Sequence, residues 1–315
     1  MSELARAVRF QNVHLAILGL IAGVFLIGVV VSDRFVTLLN IANVQDQLVA
    51  LALVALAQTV VVLSGGIDLS FAGLLGFLAV LFASFAGTDP ATFAGAYIGI
   101  LALGAAIGAI TGGIVAYTGI HPLIVTLATS TVLAGAALLH TKQPAGSVPI
   151  FFEDMVYARL FGFLPWGTLF VVAAYLIVGF VLWRTRFGFR VYAIGDDERA
   201  AIISGVPVKR TKVLIYALSG FVAALAAIYL VGRFGVGDPR AGVGFDLRSI
   251  TPVIVGGTLL AGGRGGVLGT FLAVVLLALL SNVLNFLNVS NYYLWIVEGI
   301  IIVVAVSLFA RRIRA

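Results

Sequence analysis

The chain contains no cysteine, so it has neither disulfides nor thiolate metal sites. Histidine is nearly as scarce. His14, His121 and His140 lie far apart and match no paired-ligand spacing, which argues against a helical zinc centre. Charge is scarce as well: only 10% of the residues are charged, against about 25% in a soluble domain. There is no phosphate-binding loop of the form Gly, four residues, then Gly-Lys-Ser/Thr. Gly262-Gly263-Arg264-Gly265-Gly266 is glycine-rich, but it occupies a tight interhelical loop and lacks the lysine. No Ser/His/Asp arrangement or paired carboxylate stands out, so the chain carries no candidate catalytic residue and no metal ligands.

What the sequence does have is apolar surface. Of 315 residues, 62% are hydrophobic, and the mean hydropathy is +1.17. One water-facing globule cannot hide that much, so residues 1–315 read as a single transmembrane domain. Ten apolar segments run roughly over 14–31, 44–63, 70–86, 92–117, 122–139, 166–183, 213–232, 249–261, 265–287 and 292–310. None alternates with period two, so they predict helices and an all-α polytopic protein of about ten spans. Segment 249–261 is short and interrupted by glycine and proline, which predicts a broken or partial span. The first segment lacks a small-x-small cleavage site and is expected to be a retained helix rather than a signal peptide.

Ten spans put both termini on one side. Arg6, Arg9, the loop 184–212, Arg264 and the terminal Arg311, Arg312 and Arg314 then share that side, while only Arg34, Lys142, Arg159, Arg233, Arg240 and Arg248 fall on the other. The positive-inside rule makes the first side, with both termini, cytoplasmic. A net charge of +6 is thereby explained by topology, without a nucleic-acid partner.

Two stretches echo each other: Val61-Val62-Leu63-Ser64-Gly65-Gly66 and Val253-Ile254-Val255-Gly256-Gly257-Thr258. Each runs from an apolar helix into a Gly-Gly break, which suggests two related halves with interrupted helices along a transport path. The competing account is chance recurrence among 37 glycines. Within the first stretch, Ser64, Gly65, Gly66 and Asp68 are candidates for that path. A carboxylate at a membrane boundary is costly and often functional, although Asp68 can also be a plain helix cap. Ser281, Asn282, Asn285, Asn288 and Asn291 form a polar stripe that can line the path or hydrogen-bond between helices. Glu298 is an intramembrane acid with Arg233, Arg240 or Arg248 as conceivable partners. Gly104, Gly108 and Gly112, like Gly95 and Gly99, recur every four residues and predict close helix packing within the chain, with a dimer contact as the alternative.

The basic loop 184–212 is the most informative segment. Asp196 suits an N-cap, Asp197 and Glu198 favour the first helical turn, and Gly205 followed by Pro207 marks the stop. This predicts a short helix over 197–204 that includes Ala200, Ala201, Ile202 and Ser204. Its apolar centre, Ala200-Ala201-Ile202-Ile203, needs either a partner or the membrane surface.

Taken in order, Leu63-Ser64-Gly65-Gly66-Ile67-Asp68-Leu69-Ser70, Arg184-Thr185-Arg186-Phe187-Gly188, Tyr192-Ala193-Ile194-Gly195, Ala200-Ala201-Ile202-Ile203-Ser204-Gly205-Val206 and Gly256-Gly257-Thr258-Leu259-Leu260-Ala261-Gly262-Gly263 resemble one family. It is that of the membrane permease subunits of bacterial ABC importers for simple sugars, of the ribose/xylose/arabinose type. The resemblance implies a permease pair in the inner membrane, an ATP-binding subunit holding ATP and Mg, and a periplasmic solute-binding protein. It also implies that helix 197–204 couples the permease to the ATPase. The sequence departs from the family's pattern at Asp246-Leu247, Arg248 and Pro252, and at Asp196-Asp197-Glu198. Three other readings stay open at this stage: the same machine for a branched-chain amino acid or nucleoside, an ion-coupled secondary transporter using Asp68 or Glu298, and an intramembrane enzyme.

Overall fold

The computed structural model describes residues 3–290, 292–296, 298–300 and 303. Twelve helices are α1 (Glu3–Val31), α2 (Leu38–Leu63), α3 (Phe71–Phe85), α4 (Pro90–Thr118), α5 (Pro122–His140), α6 (Ile150–Tyr157), α7 (Trp166–Arg184), α8 (Arg186–Asp196), α9 (Glu198–Ile203), α10 (Val208–Phe234), α11 (Phe245–Val255) and α12 (Val267–Phe286). Residues 292–296 and 298–300 are helical as well. Among the described residues the only strands are the two-residue pair β1 (Arg159–Leu160) and β2 (Leu164–Pro165), a small antiparallel hairpin.

Seven of these helices are long and apolar enough to cross a membrane: the Val13–Val31 part of α1, α2, α4, α5, α7, α10 and α12. Two of the ten expected spans are shorter than a full crossing. α3 has 15 residues and α11 has 11, or about 22 Å and 16 Å, against a hydrocarbon core of about 30 Å. α11 carries Pro252 in its interior and stops at Gly256, well short of residue 261. Asn291, most of the tenth apolar segment and the terminal arginines lie outside the described residues.

α2 is the axis of the bundle. Its residues from Leu48 to Leu63 are all buried, and it packs against α7, α10, α11 and α12. A helix apolar all round has nowhere to sit except among other helices. The peripheral helices are different. Leu20 and Leu26 of α1, Ile98 and Ile110 of α4, Val132 and Leu139 of α5, and Ile177 and Phe180 of α7 all present large apolar side chains outward. Such a continuous apolar surface suits lipid rather than water.

The most extensive helix contact is that of α4 with α10. Gly104, Gly108 and Gly112 face Gly220 and the Tyr216 backbone, and a Cβ on Gly108 would sit 2.1 Å from the Tyr216 carbonyl oxygen. The small-residue spacing is thus used within the chain, where it lets two backbones touch. Gly95 and Gly99 meet nothing within 4 Å and do not join that contact.

These two sets of glycines should separate in a stability measurement. Gly108→Val forces α4 and α10 apart and is expected to lower the unfolding temperature in detergent, at a cost of about 1–3 kcal/mol for overpacking. Gly99→Val should leave the unfolding temperature unchanged. Equal behaviour of the two variants would contradict the α4–α10 contact.

Candidate functional site

Two helix breaks and two short helices converge at one end of the bundle. α2 ends on Ser64, and Gly65 takes a left-handed φ of +80°. The Gly66 amide donates to the Val61 carbonyl at 3.1 Å, and the Gly65 amide to Val62 at 2.9 Å. α11 ends in the same way: Gly257 has φ +87°, Thr258 donates to Val253 at 3.1 Å and Gly257 to Ile254 at 2.9 Å. The sequence echo is therefore an echo of geometry, residue for residue. Both ends are left-handed glycine caps that satisfy the last helical carbonyls.

The break after α2 is pinned on several sides. The Gly263 amide donates to the Leu63 carbonyl at 2.9 Å. Gly195, at the end of α8, presses on that same carbonyl so closely that a Cβ there would lie 1.9 Å from it. Tyr192 of α8 donates its hydroxyl to the Gly265 carbonyl at 3.0 Å. Burial pushes the Tyr192 phenol above its ordinary value, so it remains a donor. Asp68 is buried, with all its partners close by. Its Oδ1 accepts from the Ser70 amide at 2.9 Å and the Ser70 hydroxyl at 2.6 Å, and its Oδ2 accepts from the Ser219 hydroxyl of α10 at 2.7 Å. The carboxylate thus both stabilises the turn before α3 and ties that turn to α10.

The segment 184–212 is not one loop with one helix. Thr185 caps α8 by accepting from the Gly188 amide, and α8 buries Val191 and Ile194. The pattern Phe187, Val191, Ile194 is helical spacing that the sequence displays openly. The cap of α9 is Asp197, not Asp196, which closes α8 instead. Asp197 Oδ1 accepts from the amides of Arg199 at 2.8 Å and Ala200 at 3.0 Å. The correction follows from register, because a side chain caps the amides two and three residues ahead. Gly205, at φ +79°, ends α9, with Val206 donating to Ala201 at 3.0 Å.

The apolar centre of α9 divides. Ala201 is buried against Ile194 and Val208, while Ile202 and Ile203 are 57% and 86% exposed. Asp196, Asp197, Glu198, Ala200, Ser204 and Gly205 are exposed around them. Glu198 pairs with Lys212 of α10 at 2.7 Å. Lys212, Tyr216 and Ser219 follow one another at helical spacing along one face of α10, so a single stripe runs from α9 to Asp68. Between them lies a cavity of about 190 Å³, lined by Ser64, Gly65, Gly66, Glu198, Lys212 and Tyr216 among others.

The remaining candidate residues sit elsewhere. Asn282 of α12 is buried in a reciprocal amide pair with Asn40, each side chain donating to the other at 3.0 Å. Asn285 is exposed one turn further on. Of the three conceivable partners for Glu298, Arg248 is the one that pairs, Nε to Oε1 at 3.5 Å, with the Glu298 side chain 4% exposed. Arg233 instead donates to the Asp46 carbonyl at 3.2 Å, and Arg159 pairs with the Asp46 carboxylate at 3.3 Å. Asn40 opens α2 and Ser64 closes it, about 36 Å apart. The structure therefore brings Ser64, Gly65, Gly66 and Asp68 together with α9, and leaves Asn282 and Asn285 at the opposite end of α2. Lys212, Tyr216, Ser219 and Asn40 were not legible as site residues, because their partners are remote in the chain.

These features belong to a known class. A model of the family described as branched-chain amino acid transport system / permease component matches residues 40–306. The chain belongs to this permease family and is a multi-pass membrane protein. Among curated relatives, the ribose import permease protein of Escherichia coli (strain K12) is 37% identical over 297 residues, covering 91% of each chain. That of Bacillus subtilis (strain 168) is 38% identical, covering 94% of this chain and 93% of its own. The D-allose transport system permease protein of Escherichia coli (strain K12) is 34% identical, covering 93% and 89%. No solved structure matches.

The amide pair gives a direct stability test. Asn282→Leu takes one partner from the Asn40 amide, leaving it the Phe35 carbonyl, and should cost about 1–3 kcal/mol, as should Asn40→Leu. The double variant should lose less than the sum of the two, measured by thermal unfolding in detergent. Strict additivity would mean that the pair does not form.

Proposed function

We propose that this chain is the membrane-spanning permease subunit of an ATP-driven importer and forms the path for a monosaccharide. It sits in the bacterial inner membrane with both termini cytoplasmic and about ten spans in two related halves, and it works as a dimer. ATP and Mg are held by a separate ATP-binding subunit, and solute arrives from a periplasmic binding protein. The names of the curated relatives, ribose and allose permeases, support the solute class over a branched-chain amino acid or a nucleoside.

The observation that carries the coupling role is the exposed pair Ile202 and Ile203 on a capped helix outside the spans. Two large apolar side chains facing water need a partner, and a groove on the ATP-binding subunit supplies one. A push on α9 reaches α10 through Glu198–Lys212, and reaches the break between α2 and α3 through Ser219–Asp68. The residues for coupling are thus Asp196, Asp197, Glu198, Ala200, Ala201, Ile202, Ser204 and Gly205. Those for the path are Ser64, Gly65, Gly66 and Asp68, with Asn282, Asn285 and Glu298 towards the outer end.

Ile203→Asp tests this without touching the core. Its unfolding temperature in detergent should match that of the unaltered chain, while solute-stimulated ATPase activity of the assembled transporter falls at least ten-fold. Ala201→Asp would be a poor probe, because Ala201 is buried. Full stimulation in Ile203→Asp would refute the docking role. Asp68→Asn separates the ion-coupled rival, since uptake that still follows ATP but not a proton gradient excludes it.

A further inference from the structure

Gln58 lies in the last third of α2 and is 0% exposed, yet neither its amide nitrogen nor its amide oxygen has a hydrogen-bond partner. A buried amide without partners is a costly feature, and α2 is otherwise apolar from Leu48 to Val62 apart from Thr59. Thr59 is satisfied, since its hydroxyl donates to the Ala55 carbonyl at 2.7 Å and meets the Thr270 hydroxyl at 2.9 Å. Gln58 is the exception that needs an account.

Helical spacing places it. Asn43, Gln47, Leu51, Val54 and Gln58 fall within about 80° of one another around the axis of α2. Along this face burial changes in order. Asn43 and Gln47 are exposed, while Leu51, Val54 and Gln58 are buried. About 10 Å beyond Gln58, Gly65 lines the polar cavity at the α9 end. One stripe of α2 thus runs from exposed amides through a closed apolar stretch to a buried amide and then to a polar cavity. Three contacts of α2 use other faces. Tyr175 of α7 donates to the Ala52 carbonyl, Leu53 packs with Tyr229 and Ile228 of α10, and Thr59 meets α12.

We propose that Gln58 is a hydrogen-bonding station for solute hydroxyls, reached when this face of α2 opens during transport. A lipid or a second copy of the chain cannot partner it from outside, because it is wholly buried. A partner must enter along the face. A neutral amide offers a donor group and an acceptor oxygen side by side, which suits two adjacent hydroxyls of an uncharged polyol. Asn43, Gln47 and Gln58 are all neutral amides, and a zwitterionic amino acid would leave its charges without counter-charges on this face. The solute class rests on the monosaccharide reading, whereas the water access of Gln58 does not.

The absence of cysteine makes each position singly addressable. Gln47→Cys, Gln58→Cys and Thr59→Cys are placed in the full chain, assembled with the ATP-binding subunit and binding protein in membrane vesicles, and treated with a water-soluble methanethiosulfonate. Gln47→Cys should react at rest. Gln58→Cys should react at least ten-fold faster during ATP turnover than without ATP, and D-ribose should slow it. Thr59→Cys should stay unreactive throughout. Gln58→Cys unreactive during turnover, with Gln47→Cys reactive, overturns the inference. If Gln58→Cys fails to assemble, Val54→Cys on the same face carries the same expectation. Labelling that turnover accelerates but neither D-ribose nor D-allose slows keeps Gln58 on the path and overturns the monosaccharide reading. Gln58→Leu should retain its unfolding temperature and lose at least ten-fold in D-ribose uptake, and unchanged uptake would overturn the hydrogen-bonding role.

Discussion

Inside a bilayer every backbone amide and carbonyl must find its partner within the protein. That constraint governs this chain most visibly where its helices stop. α2 and α11 both end in left-handed glycine caps that return their last amides to helical carbonyls. What the α2 cap leaves open at Leu63 is taken by Gly263, and Gly195 closes over it. A break so placed is tolerated because two segments cover it. It also follows that the break cannot move alone. Any shift at residues 63–66 moves the end of α8 and the loop 262–266.

Charge is managed by the same rule at a higher cost. Asp46 lies against Arg159 and Arg233 at one end of the bundle, and Glu198 against Lys212 at the other. Arg248 and Glu298 make a further pair, largely removed from water on the glutamate side. The pairs with a buried carboxylate, at Asp46 and Glu298, are strongly unfavourable to break singly, whereas the exposed Glu198–Lys212 pair is worth about 1 kcal/mol or less. The Asp46 pair holds the β1–β2 hairpin to α2. Asp68 belongs to this set through hydroxyls instead of a cation, which leaves its link to α10 specific in geometry and free of any countercharge.

Much of this was legible in the sequence because hydropathy and glycine punctuation act locally. The apolar segments, the short helix around Ala200–Ile203, its glycine stop and the two Gly-Gly breaks all depend on residues within a few positions of each other. The failures also have local causes. Asp196 and Asp197 offer two caps one residue apart, and only the register of α8 decides between them. α8 lies in a basic stretch whose charge marks it as loop, although Phe187, Val191 and Ile194 keep helical spacing. α3 is apolar enough for a span but, at 15 residues, shorter than a full crossing in one helix. The long-range pairs, Ser219 with Asp68, Asn40 with Asn282 and Arg248 with Glu298, connect residues that no local rule brings together. Gln58 stands apart, because a single amide in an apolar helix is visible in the sequence, but its lack of a partner is a property of the fold.

On the proposed function, ATP drives movement through this bundle. The direct measurement is uptake of labelled D-ribose into proteoliposomes, with this chain reconstituted either alone or together with its ATP-binding subunit and solute-binding protein. Uptake that appears only in the complete assembly, and only with ATP on the side of α9, is the predicted result. Uptake by the chain alone under a proton gradient, without ATP, would contradict the account and make the ion-coupled transporter the correct one.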